Sequence, residues 1–297
     1  VQLLDVPANR TSDSRVQLYI VDHVVPGTTI QRRVKITNSS DDSQHFELYG
    51  AAATIEHDAF VFAPERTANE LSRWIAVDPP ALDVPAGEEA LVRATIQVPD
   101  KASAGERYAV IWAAVTSGPD ASAGMTQVHR VGVRVYLDVG PGGDPVSDFT
   151  ITNVRAVRTV DGQPSLVADV HNSGARALDI TGTLSLSDGP DSVSAGPYRA
   201  STGTTLAIGD TAPVTVPVPR SLAAGPWTAH LTLVSGIVEH STTVTVTFPA
   251  AGETQAAQPV SNRLNPVSIV GISVAVLALA AIGLYLAARQ NRIRDRR

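Results

Sequence analysis

Between residues 15 and 248 apolar and polar side chains alternate in short runs, broken repeatedly by Gly, Pro, Asn or Asp, and helical spacing is almost absent. Ile30, Val34 and Ile36 fall on one side of a strand whose other side carries Gln31, Arg33, Lys35 and Thr37. The same period of two runs through residues 91–98, through Val131, Val133, Val135 and Leu137, and through Leu178, Ile180, Leu184 and Leu186. A strand with one apolar and one polar side is half buried. Many such strands, separated by turn residues, predict β-sandwiches.

The pattern is interrupted at residues 139–148, VGPGGDPVSD, where Gly and Pro replace the alternation. This divides the chain into an N-terminal extension (1–12), a first sandwich (13–140) and a second (147–249). A linker (250–265) follows, expected to be a flexible tether. Residues 267–288 then form an uncharged run of 22, followed by five Arg and one Asp. As a helix that run is about 33 Å long, enough to cross a bilayer core. The expected architecture is therefore all-β, two tandem Ig-like β-sandwiches followed by one C-terminal transmembrane helix (266–288) with a basic cytoplasmic tail (289–297). It implies a single-pass type I protein in the cell membrane, its sandwiches extracellular. The chain opens on Val1, which implies a removed signal peptide.

The two sandwiches carry an internal repeat. In residues 82–112 and 206–233 a Val-Pro pair is followed by Ala-Gly and then an aromatic: Val98, Pro99, Ala104, Gly105, Tyr108 against Val218, Pro219, Ala224, Gly225, Trp227. An Asn-led turn, at Asn38 and Asn172, precedes each. Asn38 to Pro99 spans 61 positions and Asn172 to Pro219 only 47, so the first sandwich holds an insertion, placed at residues 56–74. Extra loops on a rigid sandwich often serve recognition, and the alternative reading is a surface insertion with an extra hairpin. The candidate partner-binding residues are His57, Asp58, Phe60, Phe62, Glu65, Arg66, Asn69 and Arg73. If they form a loop, shortening it should leave most stability intact.

Composition narrows the setting. The net charge of −6 argues against nucleic-acid binding. The absence of Cys, with 21 Arg against two Lys (Lys35 and Lys101), points to a Gram-positive, GC-rich, actinobacterial envelope. It also removes thiol nucleophiles and thiolate metal sites. No sequence signature of a zinc hydrolase, nucleophile elbow, P-loop or dinucleotide site occurs. Glu56, His57 and Asp58 are adjacent in a turn and point apart, and Asp41-Asp42 is a solvated turn too sparse in oxygens for calcium. No cofactor, metal or catalytic residue is expected. Tyr108 and Trp112 lie four apart on one strand and so share a face, read as sandwich core, with Tyr108 able to pin a corner through its hydroxyl.

These residues resemble the WxL-interacting protein family of Gram-positive surfaces. The resemblance rests on Pro26-Gly27, the strand end from Val34 to Asn38, Trp74-Ile75, the acidic stretch from Leu82 to Glu88, and Val98-Pro99 with Gly105. It implies a peptidoglycan-binding first domain, a second β-sandwich that binds host proteins, and a membrane anchor. The expected function is a non-enzymatic, membrane-anchored surface protein that binds a cell-wall component or a surface or membrane protein. The alternative is an accessory subunit docked on a larger membrane complex.

Overall fold

The computed structural model describes residues 1–7, 10–116, 127–201 and 203–260. The expected span and basic tail lie outside them. Among the described residues no helix is long and apolar enough to cross a membrane.

The first sandwich is built from β1 (Gln2–Leu3), β2 (Ile20–Val24), β3 (Thr29–Thr37), β4 (Gln44–Glu56), β5 (Ala59–Phe62), a five-residue helix α1 (Glu70–Trp74), β6 (Ile75–Asp78), β7 (Ala81–Val84), β8 (Glu89–Gln97), β9 (Gly105–Thr116) and β10 (Val128–Val139). One sheet has the order β1-β3-β8-β6. The other runs β2-β10-β9-β4-β5, with β7 also on β4. Pairing is antiparallel except for β2, which lies parallel to β10 with Ile20 opposite Val135. The alternation in the sequence places the core between the sheets: Val34, Ile36, Val92 and Ile96 face Ile111, Val133, Val135 and Leu137. Val131, the first of its expected row, is exposed at the sandwich's open end. Leu3 is buried in the same core and β1 pairs with β3, so the start of the chain is a structural strand rather than an extension.

The second sandwich contains β11 (Phe149–Arg158), β12 (Pro164–Asn172), β13 (Leu178–Asp179), β14 (Thr181–Ser187), β15 (Ala195–Arg199), β16 (Thr205–Leu206), β17 (Thr211–Pro217), β18 (Trp227–Ser235), β19 (Val238–Val246) and β20 (Thr254–Ala256). One sheet is ordered β17-β12-β11-β20, the facing one runs β15-β14-β18-β19, and β13 pairs with β16. Leu178, Ile180, Leu184 and Leu186 are all buried here, beside Phe149, Leu166 and Trp227. The tether expected at 250–265 is corrected in its first part. Thr254–Ala256 adds a strand to the edge of β11, because Arg158 and Val154 leave main-chain groups there that Glu253 and Ala257 satisfy.

The repeat has a common geometry. Asn38 Nδ2 donates to the carbonyls of Asp42, Val84 and Pro85, and Asn172 Nδ2 to those of Arg176, Leu206 and Ala207. Each Asn Oδ1 accepts the backbone N–H two residues on. One buried amide thus ties a turn to the opposite strand end in both sandwiches. Gly105 and Gly225 both take positive φ, of 127° and 115°. The aromatics after them do not correspond. Tyr108 follows its Gly by three residues and Trp227 by two, and with a period of two that offset sends them to opposite faces.

Gly132 sits on β10 directly opposite Trp112 on β9. A Cβ there would come within 2.6 Å of the indole and 2.9 Å of the Ile111 carbonyl. The backbone oxygen cannot rotate away, so Gly132→Ala should destabilise the chain by about 1–3 kcal/mol, read as a lower urea midpoint at unchanged slope.

Candidate functional site

The alternation of β9 and β10 leaves a second row of side chains on the outer face of the β2-β10-β9-β4-β5 sheet. Even-numbered residues of both strands point there: Glu106, Tyr108, Val110 and Trp112 from one, Arg130, Arg134 and Tyr136 from the other. Tyr108 and Trp112 do share a face, but it is this one and not the sandwich core. The face is buried even so. Phe60 of β5 packs on Tyr136 and Tyr108 with ring centres 5.1 and 6.2 Å apart, and Phe62 meets Trp112 at 4.9 Å. Arg134 lies over Phe60 and Tyr19, 4.8 and 5.2 Å from their ring centres.

The 56–74 insertion is therefore a hairpin that covers the outer face, and not a free loop. His57 and Asp58 form its turn with φ of 49° and 61°, the positive values that a two-residue hairpin needs to match strand twist. Phe60 is 6% exposed. Asn69 caps α1 by accepting from Ser72 N and donates to the Tyr108 carbonyl. Arg66 stacks on Tyr49 at 4.1 Å and pairs with Glu47, and the Glu65 carbonyl accepts from Arg130. Phe62, at 38%, and Arg73 are exposed. Of the eight expected contact residues, Phe62, Glu65 and Arg66 gather on one surface. Phe60 and Asn69 hold the hairpin down, and Asp58 faces the second sandwich.

That surface ends in a groove of about 290 Å³, lined by Tyr49, Arg66, Ala114, Val128 and Arg130 with Glu47 and Glu65 at its walls. Arg130 lies 5.0 Å above the Trp112 ring. Trp112 is only 7% exposed, and its Nε1 has no acceptor.

Lower on the same face, one segment of the second sandwich is plugged into the first. Ala177 N donates to Glu106 Oε2 at 2.6 Å while its carbonyl accepts from Arg15 Nη1 at 2.9 Å. Asp179 accepts from Tyr136 Oη, Thr205 Oγ1 and Arg134 Nη1 at 2.9, 2.9 and 3.2 Å, and pairs with Arg15 Nε at 3.0 Å. The hairpin tip completes the joint, with Thr205 N donating to the Asp58 carbonyl. Burial pushes the Glu106 carboxyl above its ordinary range, against the pull of Ala177 N–H, Tyr108 Oη and the two nearby arginines. Burial, then the charges of Glu106 and Asp179, push the Tyr108 and Tyr136 hydroxyls up as well, so both remain donors. Sequence reasoning missed this joint. Its one visible signal was the polar row Arg130, Arg134, Tyr136 on β10, which alternation alone assigns to solvent. Among the described residues no group of three metal-ligating side chains lies together.

No family model matches the chain, and no curated protein matches it. Solved structures similar to it include the Pseudomonas aeruginosa CupB2 chaperone, at 12% identity and a TM-score of 0.39 over 77% of this chain and 97% of that one. The Salmonella enterica SafB chaperone in complex with SafA pilin gives 9% and 0.43 over 76% and 93%. The E. coli chaperone DraB gives 9% and 0.42 over 76% and 94%. At these TM-scores the likeness transfers no partner and no activity. The resemblance to the WxL-interacting family is withdrawn, since no family model matches the chain. With it go the peptidoglycan-binding first domain, the membrane-anchored glycan-binding function and the Gram-positive cell-wall setting. The physical reason lies in the motifs. Gly27 and Gly105 supply positive φ at a turn and a strand start, and Val98 closes the β3-β8 pair through Thr28. Any sandwich of this build needs them.

Proposed function

We propose that the chain is a non-enzymatic protein-binding module. Its two sandwiches act as one body, and it meets a protein partner on the outer face of the first, at the groove beside Arg66 and Arg130. The observation that carries this reading is the stacking of two guanidinium groups on Tyr49 and Trp112 along the groove. Stacking holds long side chains extended before a partner arrives, which lowers the entropy lost on binding. Arg, Tyr and Trp are also the residue types that dominate interface energetics. Exposed Val128 supplies apolar surface in the groove, while Glu47 and Glu65 favour a partner of mixed charge.

The test is crosslinking and pull-down by the full-length chain in its native cells, followed by affinity measurement with the captured protein. Arg66→Ala should weaken binding by about 2 kcal/mol, roughly 30-fold, and leave the fold intact, because among the described residues its guanidinium bonds an exposed Glu47 and stacks on Tyr49. A folded Arg66→Ala, Arg130→Ala variant that captures the same partner in the same amount would exclude this face.

A further inference from the structure

A second groove, of about 280 Å³, lies where the segment around Arg10, the connection from Asp144 to Ser147 and the turn before β19 meet, and Arg176 lines it. The other arginines of this region have partners. Arg10 bonds Asp144 and the Val21 carbonyl, Arg15 bonds Asp179 and the Ala177 carbonyl, and Arg134 bonds Asp179. Arg176 differs. It is 6% exposed and, among the described residues, no carboxylate lies within ion-pair distance of it and its buried Nε and Nη2 have no hydrogen-bond acceptor. The same two nitrogens of Arg15 also lack one, but Arg15 has the Asp179 carboxylate at ion-pair distance.

We propose that this groove binds a monocarboxylate carried on an apolar stem, with Arg176 as its anchor. Nε and Nη2 form the flat, two-donor edge of a guanidinium, which matches the two oxygens of a carboxylate. A buried cation with that edge empty is unfavourable, so a ligand that fills it binds with the gain of restoring both hydrogen bonds. Burial lowers the pKa of Arg176 and neighbouring Arg15 lowers it further, while Glu106, Asp13 and Asp138 act the other way without restoring it. Charge decides between anions. Beyond Arg176 itself, carboxylates outnumber guanidinium groups: Glu106, Asp13, Asp144 and Asp138 stand against Arg10 and Arg15, so each further negative charge on a ligand meets net repulsion, which disfavours a dianion such as phosphate. The rim is apolar: Val146 and Ile237 are 70% and 68% exposed, and Val238 adjoins them. These give a hydrocarbon stem something to cover. The two nitrogens are shut off from bulk water, so binding opens the groove slightly.

The experiment uses the full-length chain in mild detergent, titrated with sodium butyrate, acetate, phosphate and chloride at equal ionic strength and followed by calorimetry and the thermal midpoint. Butyrate should bind saturably and raise the midpoint, acetate should bind more weakly, and phosphate should match chloride. Arg176→Met should weaken butyrate roughly tenfold or more, the loss expected when a charge-assisted pair is removed. Should that variant not fold, Ile237→Asp, a change at an exposed site, places a like charge at the rim and should weaken butyrate on its own. No saturable butyrate binding to the wild type, or butyrate affinity unchanged in either folded variant, would overturn the site. Phosphate binding as tightly as butyrate would overturn its assignment to a monocarboxylate. None of these readouts involves the Arg66 groove or a protein partner.

Discussion

Replacing Phe60 with Ala lowers the stability of the two-sandwich body by about 3–5 kcal/mol, the range for removing a large buried aromatic. Phe60 touches Phe62, Tyr108 and Tyr136 and lies under Arg134. Its loss opens a place where the insertion, the outer face of the first sandwich and Ala177 of the second sandwich pack together. Exchanging residues 58–69 for a Gly/Ser turn should cost at least as much, since it removes Phe60, the Asn69 cap and the Asp58–Thr205 bond together. Urea unfolding of the full chain, followed by tryptophan fluorescence, checks both. A shortened variant with a wild-type midpoint would restore the free-loop reading over the hairpin one.

The second large effect is expected at Asp179. It is the shared acceptor for Tyr136, Thr205 and Arg134 and the ion partner of Arg15. Asp179→Ala leaves Arg15 buried without its carboxylate, and breaking a buried pair from one side costs about 3–5 kcal/mol. The damage should concentrate at the joint, so a single unfolding transition should split into two as the sandwiches lose their coupling. Replacing both partners, as Arg15→Met with Asp179→Leu, removes the uncompensated Arg15 charge and should recover that part of the loss, while Arg134, Tyr136 and Thr205 still lack their acceptor. If Asp179→Ala unfolds in one transition at the wild-type midpoint, the joint contributes little and the sandwiches are held together elsewhere.

The strands were legible because an inner face of Val, Ile and Leu repeats every second residue, and the buried Asn pair was legible because both turns keep Asn at the same place in the repeat. The limits were physical as well. Alternation treats the polar row of a strand as solvent-facing, yet Arg134 and Tyr136 are covered by a hairpin and a neighbouring sandwich, and their polar atoms are satisfied by partners distant in sequence. The repeat matched Tyr108 to Trp227 by residue type, and a one-residue difference in spacing put them on opposite faces. Residues 56–74 mix aromatic and charged groups because the hairpin is covered on one side and wet on the other, a composition easily mistaken for a loop. Arg176 carries no sequence mark at all. What singles it out is the absence, among the described residues, of a carboxylate at ion-pair distance from a buried guanidinium, a property of three-dimensional surroundings.

The parallel pairing of β2 with β10 also orders events in time. Ile20–Val24 leaves the ribosome early, but its hydrogen-bonding partners are Val135–Val139, so this strand must wait for nearly the whole first sandwich to be made. Contacts so far apart along the chain form slowly. Arg15, just ahead of that strand, waits longer still, because Ala177 and Asp179 are synthesised after β10. A nascent chain that has finished only its first sandwich therefore leaves Arg15 without its Asp179 ion pair and the Ala177-facing side of the Tyr136, Tyr108 and Phe60 cluster uncovered. That interval is when the molecule is most open to wrong association, and it closes only when the second sandwich arrives.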